Sequence, residues 1–378
     1  MVDLASVIRP GDAIVWGQAC AEPQTLVEAL VSQRGRLGAV GCFLGSSYSG
    51  IVKPEHADHL RLSSYCGTGT NRVLADAGVL EILPVPYSQL GALLRSRQIR
   101  CDVVMIQVSS PNERGQYSLS LGVEYLAPAL EVARVVIAEV NDQVPWTYTE
   151  PLLQASRFAL TLSTSRTPVF MPFKLDELAR AIALNAKPFI PDGAVLECGI
   201  GNLPNAVLEA LKDRRDLSFH SGLVPEGVMG LELQSCTGGA LMGSQRLFDW
   251  ARGNPKLRLC SSDVTHGAAT LARLERFVAI NSAVEVDLTG QVNGELAGQS
   301  YVGAVGGALD FVRAANQSPG GVSIVVLPGS RIVEKLSGPV SVPRSEAGVV
   351  VTEKGAADLR GRTLRERERR MRAISGSS

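Results

Sequence analysis

The sequence predicts an α/β protein of two similar halves, each an open, mostly parallel sheet with helices on both faces. Three observations carry that expectation. Short apolar runs such as "DAIVWG", "CDVVMIQVSS", "ARVVIAEVN", "GAVLECGIG" and "GVSIVVLPG" are closed by turn residues, and many precede a segment of helical periodicity. Strands that are apolar throughout belong to sheets covered on both faces, and their alternation with helices makes those sheets parallel. The chain has 378 residues, 45% of them hydrophobic, enough for two well-buried cores. Finally, residues 10–30, "PGDAIVWGQACAEPQTLVEAL", lie without gaps on residues 191–211, "PDGAVLECGIGNLPNAVLEAL", with identities at Pro10, Ala13, Pro23, Glu28, Ala29 and Leu30.

Taken in order, the N-terminus, "MVDLASVIRPGDAIVWG", has no basic region followed by a continuous apolar core, and no later apolar run approaches the roughly 18 residues of a membrane span. No membrane partner is expected. Each half then opens with the matched unit, read as a strand, a turn of small residues containing proline, and an apolar-periodic helix ending in "EAL". Carried further, the same register sets Gly41 opposite Gly222, just past the second strand of the second half. Open α/β sheets bind ligands beyond the carboxyl ends of their strands. His56 and His59, in "PEHADH", read as a surface turn with no third metal ligand nearby in sequence. The boundary between halves is expected within residues 156–188.

In the second half, "GIGNLPNAV" carries Gly199 and Gly201 and is either a phosphate-cradling loop or a tight structural turn. Its spacing is neither that of a dinucleotide fingerprint nor that of a P-loop. "SFHSGLVPEG" ends a strand at His220, a residue suited to general base work in a cleft, and then places a glycine where an acid is expected. "AINSAVEVDLTGQVNGE" puts Asn281, Glu285 and Asp287 on one face of a single strand; the amide suits a carbonyl ligand, and the acids fit a solvent face equally. "GAVGGALDF" brings Gly303, Ala304, Val305, Gly306 and Gly307 together, either as backbone amides for an oxyanion or as a close strand–helix crossing. The charged end, "LRGRTLRERERRMRAISGSS", reads as a solvated terminal helix or frayed tail.

Lys plus Arg and Asp plus Glu both number 37, so no basic face points to nucleic acid, and a small-molecule ligand is expected. The seven cysteines are odd in number, scattered, and free of metal-ligand spacing, which predicts reduced thiols in the cytoplasm and no metal site.

Six stretches, "CAEPQTLVEAL", "DVVMIQVSSPNERGQYSLSLGVEYL", "PDGAVLECGIGNLPNAVLEAL", "INSAVEVDLTGQVNGE", "GAVGGALDFVRAA" and "VVVTEKGAADLRGRTLRERERRMRAI", resemble in order the motifs of the acetyl-CoA hydrolase/transferase family. This is the class I CoA-transferase group that includes 4-hydroxybutyrate and acetate CoA-transferases. The resemblance implies two CoA-transferase-like domains, 1–175 and 176–378, with the active site between them. It also implies a homodimer, or a hetero-oligomer if a partner chain supplies an acid, and a CoA ester or carrier-bound thioester as substrate with no permanently bound cofactor. In the family a glutamate attacks the thioester, and the acyl-glutamyl anhydride is then opened by CoA. That glutamate directly follows a His-Ser or Tyr-Thr pair. Here His220 and Ser221 match the pair, Gly222 takes the nucleophile's place, and Glu226 with Gly227 matches a later Asp-Gly. Asn281 matches the amide that orients the acyl carbonyl, and Gly306 and Gly307 match the glycine pair of the oxyanion loop; Ala304 departs from the family's glycine.

Three readings follow. In the first, the space vacated at Gly222 admits water or a bulkier acyl group, and the enzyme hydrolyses a thioester or performs Claisen or retro-Claisen chemistry with Glu226 or His220 as base. In the second, CoA transfer persists with Glu226 as substitute nucleophile. In the third, the chain is a non-catalytic CoA-binding subunit.

Overall fold

A computed structural model describes residues 2–376. The chain forms two compact units. The first comprises Met1–Met171, Gly239–Val264 and Ser300–Val302; the second comprises Pro172–Gly238, Thr265–Gln299 and Gly303–Ser378. The chain first passes from one unit to the other at 171/172, and two later segments return to the first unit. A return of this kind leaves no mark in composition.

The first unit is built on seven strands, β1 (Ala13–Trp16), β2 (Val40–Leu44), β3 (Leu60–Ser64), β4 (Leu80–Ile82), β5 (Val103–Val108), β6 (Val135–Asn141) and β7 (Leu160–Thr164). Their order is β4-β3-β2-β1-β5-β6-β7, and every neighbouring pair is parallel. All six residues of β5 are buried, as its apolar run requires of a central strand. Helix α1 (Gln24–Leu37) lays Leu26, Val27 and Leu30 into the core formed with Ile14, Trp16, Val103 and Met105.

The second unit repeats the plan with β8 (Val195–Cys198), β9 (Leu217–His220), β10 (Leu233–Gly238), β11 (Phe277–Ser282), β14 (Val322–Val326), β16 (Val349–Thr352) and β17 (Gly355–Asp358). Here the order is β10-β9-β8-β11-β14-β16-β17, parallel except for the last pair. Between β11 and β16 the chain adds a small sheet of β12 (Glu285–Asp287), β13 (Val292–Asn293) and β15 (Ile332–Val333). The strands of the matched sequences, β1 and β8, hold corresponding places. Each lies between the next strand in the chain and a later one, and each is followed by a helix, α1 or α3 (Asn202–Glu209). Helix α2 (Glu177–Ala186) packs against α3.

The gapless register ends with the helices. Ile14 pairs with Cys42 in β2, whereas its counterpart Val195 pairs with Ser218 in β9, so Gly41 and Gly222 are not counterparts. Gly222 nevertheless follows the second strand of its unit, as expected. Asn281 does not share a strand with Glu285 and Asp287: the chain leaves β11 after Ser282, and both acids are buried on β12. Glu285 accepts from Asn293, Ser337 and Gly338, and Asp287 from Thr289 and Gln291, so the pair serves the fold.

Two surface expectations are also corrected. His56 is buried in a 3-10 turn, Pro54–Asp58, where its Nδ1 accepts the Lys53 N–H at 3.1 Å. The charged C-terminal segment is a packed helix, α5 (Leu364–Ile374), opened by a reciprocal cap in which Thr363 Oγ1 accepts the Glu366 N–H and Glu366 Oε2 accepts the Thr363 N–H. Met371 and Ile374 are buried, Arg367 donates to the Thr289 carbonyl at 3.1 Å, and Thr352 donates to the Ile374 carbonyl at 2.8 Å. No described helix is long and apolar enough to cross a membrane.

Candidate active site

Because β8, β9 and β11 run in parallel as neighbours, their carboxyl ends meet at one edge of the sheet, which brings Cys198, His220 and Asn281 together. Ser221 fastens that edge. It is wholly buried, donates to the Cys198 carbonyl at 3.1 Å, and accepts N–H groups from Cys198 and Leu223. Its hydroxyl is therefore a clasp between strands. His220 sets its Nε2 3.0 Å from the Thr265 carbonyl, so that nitrogen carries the proton. Burial lowers its pKa and keeps the ring neutral.

Asn281 is held by a residue that sequence reasoning passed over. Its Nδ2 donates to Glu197 Oε2 at 2.8 Å, and the Ile280 N–H reaches the same oxygen at 3.1 Å. Burial raises the Glu197 pKa to about 8, so this carboxyl is mostly protonated at neutral pH. The one available signal was a lone acid inside the apolar run "AVLECG". Gly199 is explained by the same group: a β-carbon there would stand 2.6 Å from Asn281 Oδ1. Gly201, at φ 126°, caps α3.

Gly222 does not border an empty space. A β-carbon built on it would lie 2.7 Å from Cε1 and 3.0 Å from Nε2 of His266, and one built on Gly307 would lie 2.4 Å from the same Nε2. The His266 ring fills the room that the sequence alone left for water or a larger acyl group. It is buried, stacks at 44° on Phe311 with centroids 4.5 Å apart, and sets Nδ1 2.9 Å from Thr265 Oγ1. Burial, reinforced by His220, lowers its pKa to about 3. Nothing in the spacing of "VTHGAA" announced this role, since the contact joins three distant segments.

The glycine-rich loop divides in two. The Gly303 and Ala304 N–H groups are taken by the Glu295 and Gly294 carbonyls, and a β-carbon at Gly303 would run into Gly294. That half is a close backbone crossing. Val305, Gly306 and Gly307 lead into α4 (Ala308–Gln317), with Gly306 at φ 58° and Gly307 as the cap. Glu226 begins a 3-10 turn, Glu226–Gly230, and is half-buried. The turn is pinned to α3 by the Gly227 N–H, which donates to Asn205 Oδ1 at 2.8 Å.

The first unit has buried acids of its own. Ser47 donates to Glu22, and Gln18 and Tyr87 donate to Glu124; burial raises both carboxyls to about 7. Among the described residues, no cluster of three or more His, Cys, Asp or Glu side chains suits a metal ion.

Residues 1–150 match the acetyl-CoA hydrolase/transferase N-terminal domain, and residues 243–378 match the C-terminal domain of the same name. The chain belongs to the acetyl-CoA hydrolase/transferase family. It is 33% identical to the 4-hydroxybutyrate coenzyme A transferase of Clostridium kluyveri over 96% of this chain and 91% of that one. Among solved structures, RipA from Yersinia pestis superposes with a TM-score of 0.92 at 28% identity, covering 98% of this chain and 92% of its own. The 4-hydroxybutyrate CoA-transferase from Porphyromonas gingivalis superposes with a TM-score of 0.82 at 29% identity and the same coverage. Family membership makes the protein an enzyme of CoA thioesters, with the CoA ester as substrate. The silent-subunit reading is thereby set aside.

Proposed function

We propose that this enzyme transfers coenzyme A between an acyl-CoA thioester and a free carboxylate, with Glu226 as nucleophile because Gly222 stands where the family glutamate would. The observation that carries the reading is the likeness to a CoA transferase along 96% of the chain. The choice of acid follows from environment. Transfer through an anhydride needs an ionised carboxylate, and Glu197 is protonated and already bonded to Asn281, whereas Glu226 is half-buried at the start of a turn.

In this scheme the Glu226 carboxylate attacks the thioester carbon, the C–S bond breaks, and CoA leaves as thiolate. The thiolate then attacks the Glu226 carbonyl of the anhydride and releases the original acyl group as a carboxylate. A second acid reverses both steps and leaves with the CoA. Asn281 and the loop at Gly306 and Gly307 serve the developing oxyanion. The enzyme is proposed to work in the cytoplasm as a homodimer; its seven buried cysteines are all unpaired, as that compartment requires.

Incubation with acetyl-CoA and labelled acetate tests the scheme. Label is expected to enter the thioester, and Glu226→Gln is expected to reduce exchange on the order of 10⁴-fold or more. Release of free thiol without any carboxylate acceptor, undiminished in Glu226→Gln, overturns it.

A second reading, hydrolysis of the thioester or C–C chemistry on a β-keto acyl group, is favoured by one observation: Gly222 brings no carboxylate, and a neutral imidazole fills its side-chain space. Water, or a substrate carbanion, would then be the nucleophile, with Glu226 or His220 as base. CoA release in the absence of an acceptor acid separates this reading from transfer.

A further inference from the structure

Glu197 is an acid where the chain can least accommodate a charge. It is 1% exposed on β8, between the parallel neighbours β9 and β11, and no cation stands beside it among the described residues. Its Oε2 accepts the Ile280 N–H at 3.1 Å and Asn281 Nδ2 at 2.8 Å, so the amide of Asn281 turns its nitrogen inward. That nitrogen has a second hydrogen. Among the described residues, neither this hydrogen nor Asn281 Oδ1 has a protein partner. Gly199 keeps the oxygen side clear, since a β-carbon there would stand 2.6 Å from Oδ1. We propose that Glu197 is a positioning residue for the reaction: its buried carboxyl fixes one Nδ2–H of Asn281 and so presents the other to the carbonyl oxygen of the bound thioester.

The carboxyl does this uncharged. An acid removed from water with no cation beside it keeps its proton, and burial raises this one to about 8. Because Oε2 accepts two N–H groups, it is the carbonyl oxygen of the acid, and the proton sits on Oε1. The neighbouring titratable groups are few. On β8 the Cys198 thiol is pushed up by burial and then by Glu197, and at the end of β9 burial keeps the His220 ring neutral. Strand β11 carries none, α3 carries Glu209, paired with Lys212, and the turn after Leu223–Pro225 carries Glu226. Ionised, Glu197 would set a negative charge behind the amide that serves the oxyanion and oppose the charge developing there. The inference rests on the reading that a thioester carbonyl reacts at Asn281, and it holds whether a carboxylate or water attacks.

The test compares Glu197→Gln, which keeps an oxygen for both N–H groups, with Glu197→Met, which does not. Acyl-CoA turnover is followed by label exchange and by thiol release, alongside melting temperature. Glu197→Met is expected to lose on the order of 10²-fold in kcat, with KM for the CoA ester within about threefold. Glu197→Gln is expected to recover at least about tenfold of that loss. In an Asn281→Ala background, Glu197→Met is expected to cost less than about threefold, because the amide it positions is gone. As pH rises from about 7 to 9.5 the wild-type carboxyl ionises and the glutamine does not, so wild-type kcat is expected to fall at least about threefold relative to Glu197→Gln.

Equal kcat in Glu197→Met and wild type overturns the assignment, and so does a loss confined to KM or one that is the same with and without Asn281. Glu197→Gln no more active than Glu197→Met overturns it as well. If Glu197→Met does not fold, wild type against Glu197→Gln decides: a kcat ratio constant with pH refutes positioning by an uncharged acid. Wild type that turns over no acyl-CoA in either assay refutes the thioester reading itself, an outcome distinct from active wild type with an equally active variant.

Discussion

Replacing Gly222 by alanine adds one methyl group, and the structure says what that methyl meets. Its carbon would stand 2.7 Å from His266 Cε1 and 3.0 Å from Nε2, where carbon atoms ordinarily approach to about 3.5–4.0 Å. The ring has little room to retreat, with Phe311 behind it and Gly307 on its Nε2 side. Overpacking of this kind costs about 1–3 kcal/mol. Gly222 does not lie in the left-handed backbone region, so alanine carries no conformational penalty of its own. With the ring removed by His266→Ala, the same substitution is therefore expected to be neutral or to stabilise by about 0.4–1 kcal/mol, by restricting the unfolded chain. The cost disappears without the ring, and a double-mutant cycle should return a coupling of about 1–4 kcal/mol. Melting temperatures of the four proteins measure it. Gly222→Ala as stable as wild type, or equally costly in both backgrounds, would refute the packing argument. By the same geometry, Gly222→Glu alone is expected to add no exchange activity beyond the wild-type level, because its side chain meets the His266 ring.

Further outcomes follow from the buried acids and the terminal helix. The folded Glu197 carboxyl, near 8 against an ordinary 4.5, holds its proton more tightly than the unfolded chain does. Its contribution to stability is thus complete below about pH 4.5 and is lost as pH rises through 8, and Glu197→Gln should flatten that decline in melting temperature between pH 5 and 8. Glu22 and Glu124 act with the same sign up to about pH 7, so a residual slope should remain below that value. Thr363→Ala removes the cap of α5 and should cost about 1 kcal/mol, measurable as a lowered melting temperature. No change would mean that the helix is held by Met371 and Ile374 alone.

Local pattern exposed the strands and the α/β class, because a strand buried on both faces must be apolar along its whole length; β5 and β14 show this directly. The repeat of the opening strand and helix was legible for a similar reason, since both copies solve one packing problem. Farther along, the two copies diverge where loops of different length intervene, and the register linking Gly41 to Gly222 failed there. The amphipathic character of α5 was hidden by its charges, although Met371 and Ile374 sit three apart on one face.

The candidate site divides along the same line. Asn281, His220, Ser221 and the loop at Gly306 and Gly307 could be found in the sequence because each follows a recognisable strand or opens a helix. Whether Ser221 clasps strands or meets substrate, whether Gly303 binds a ligand or permits a crossing, and what surrounds Gly222 depend on atoms brought together from separate segments. The sequence by itself determined the class, the repeat and the family. Tertiary structure alone decided that His266 fills the space beside that glycine and that Glu197 holds Asn281. A side chain's reach is only a few ångströms, and which residues fall within it is set by how the strands are ordered and not by their distance along the chain.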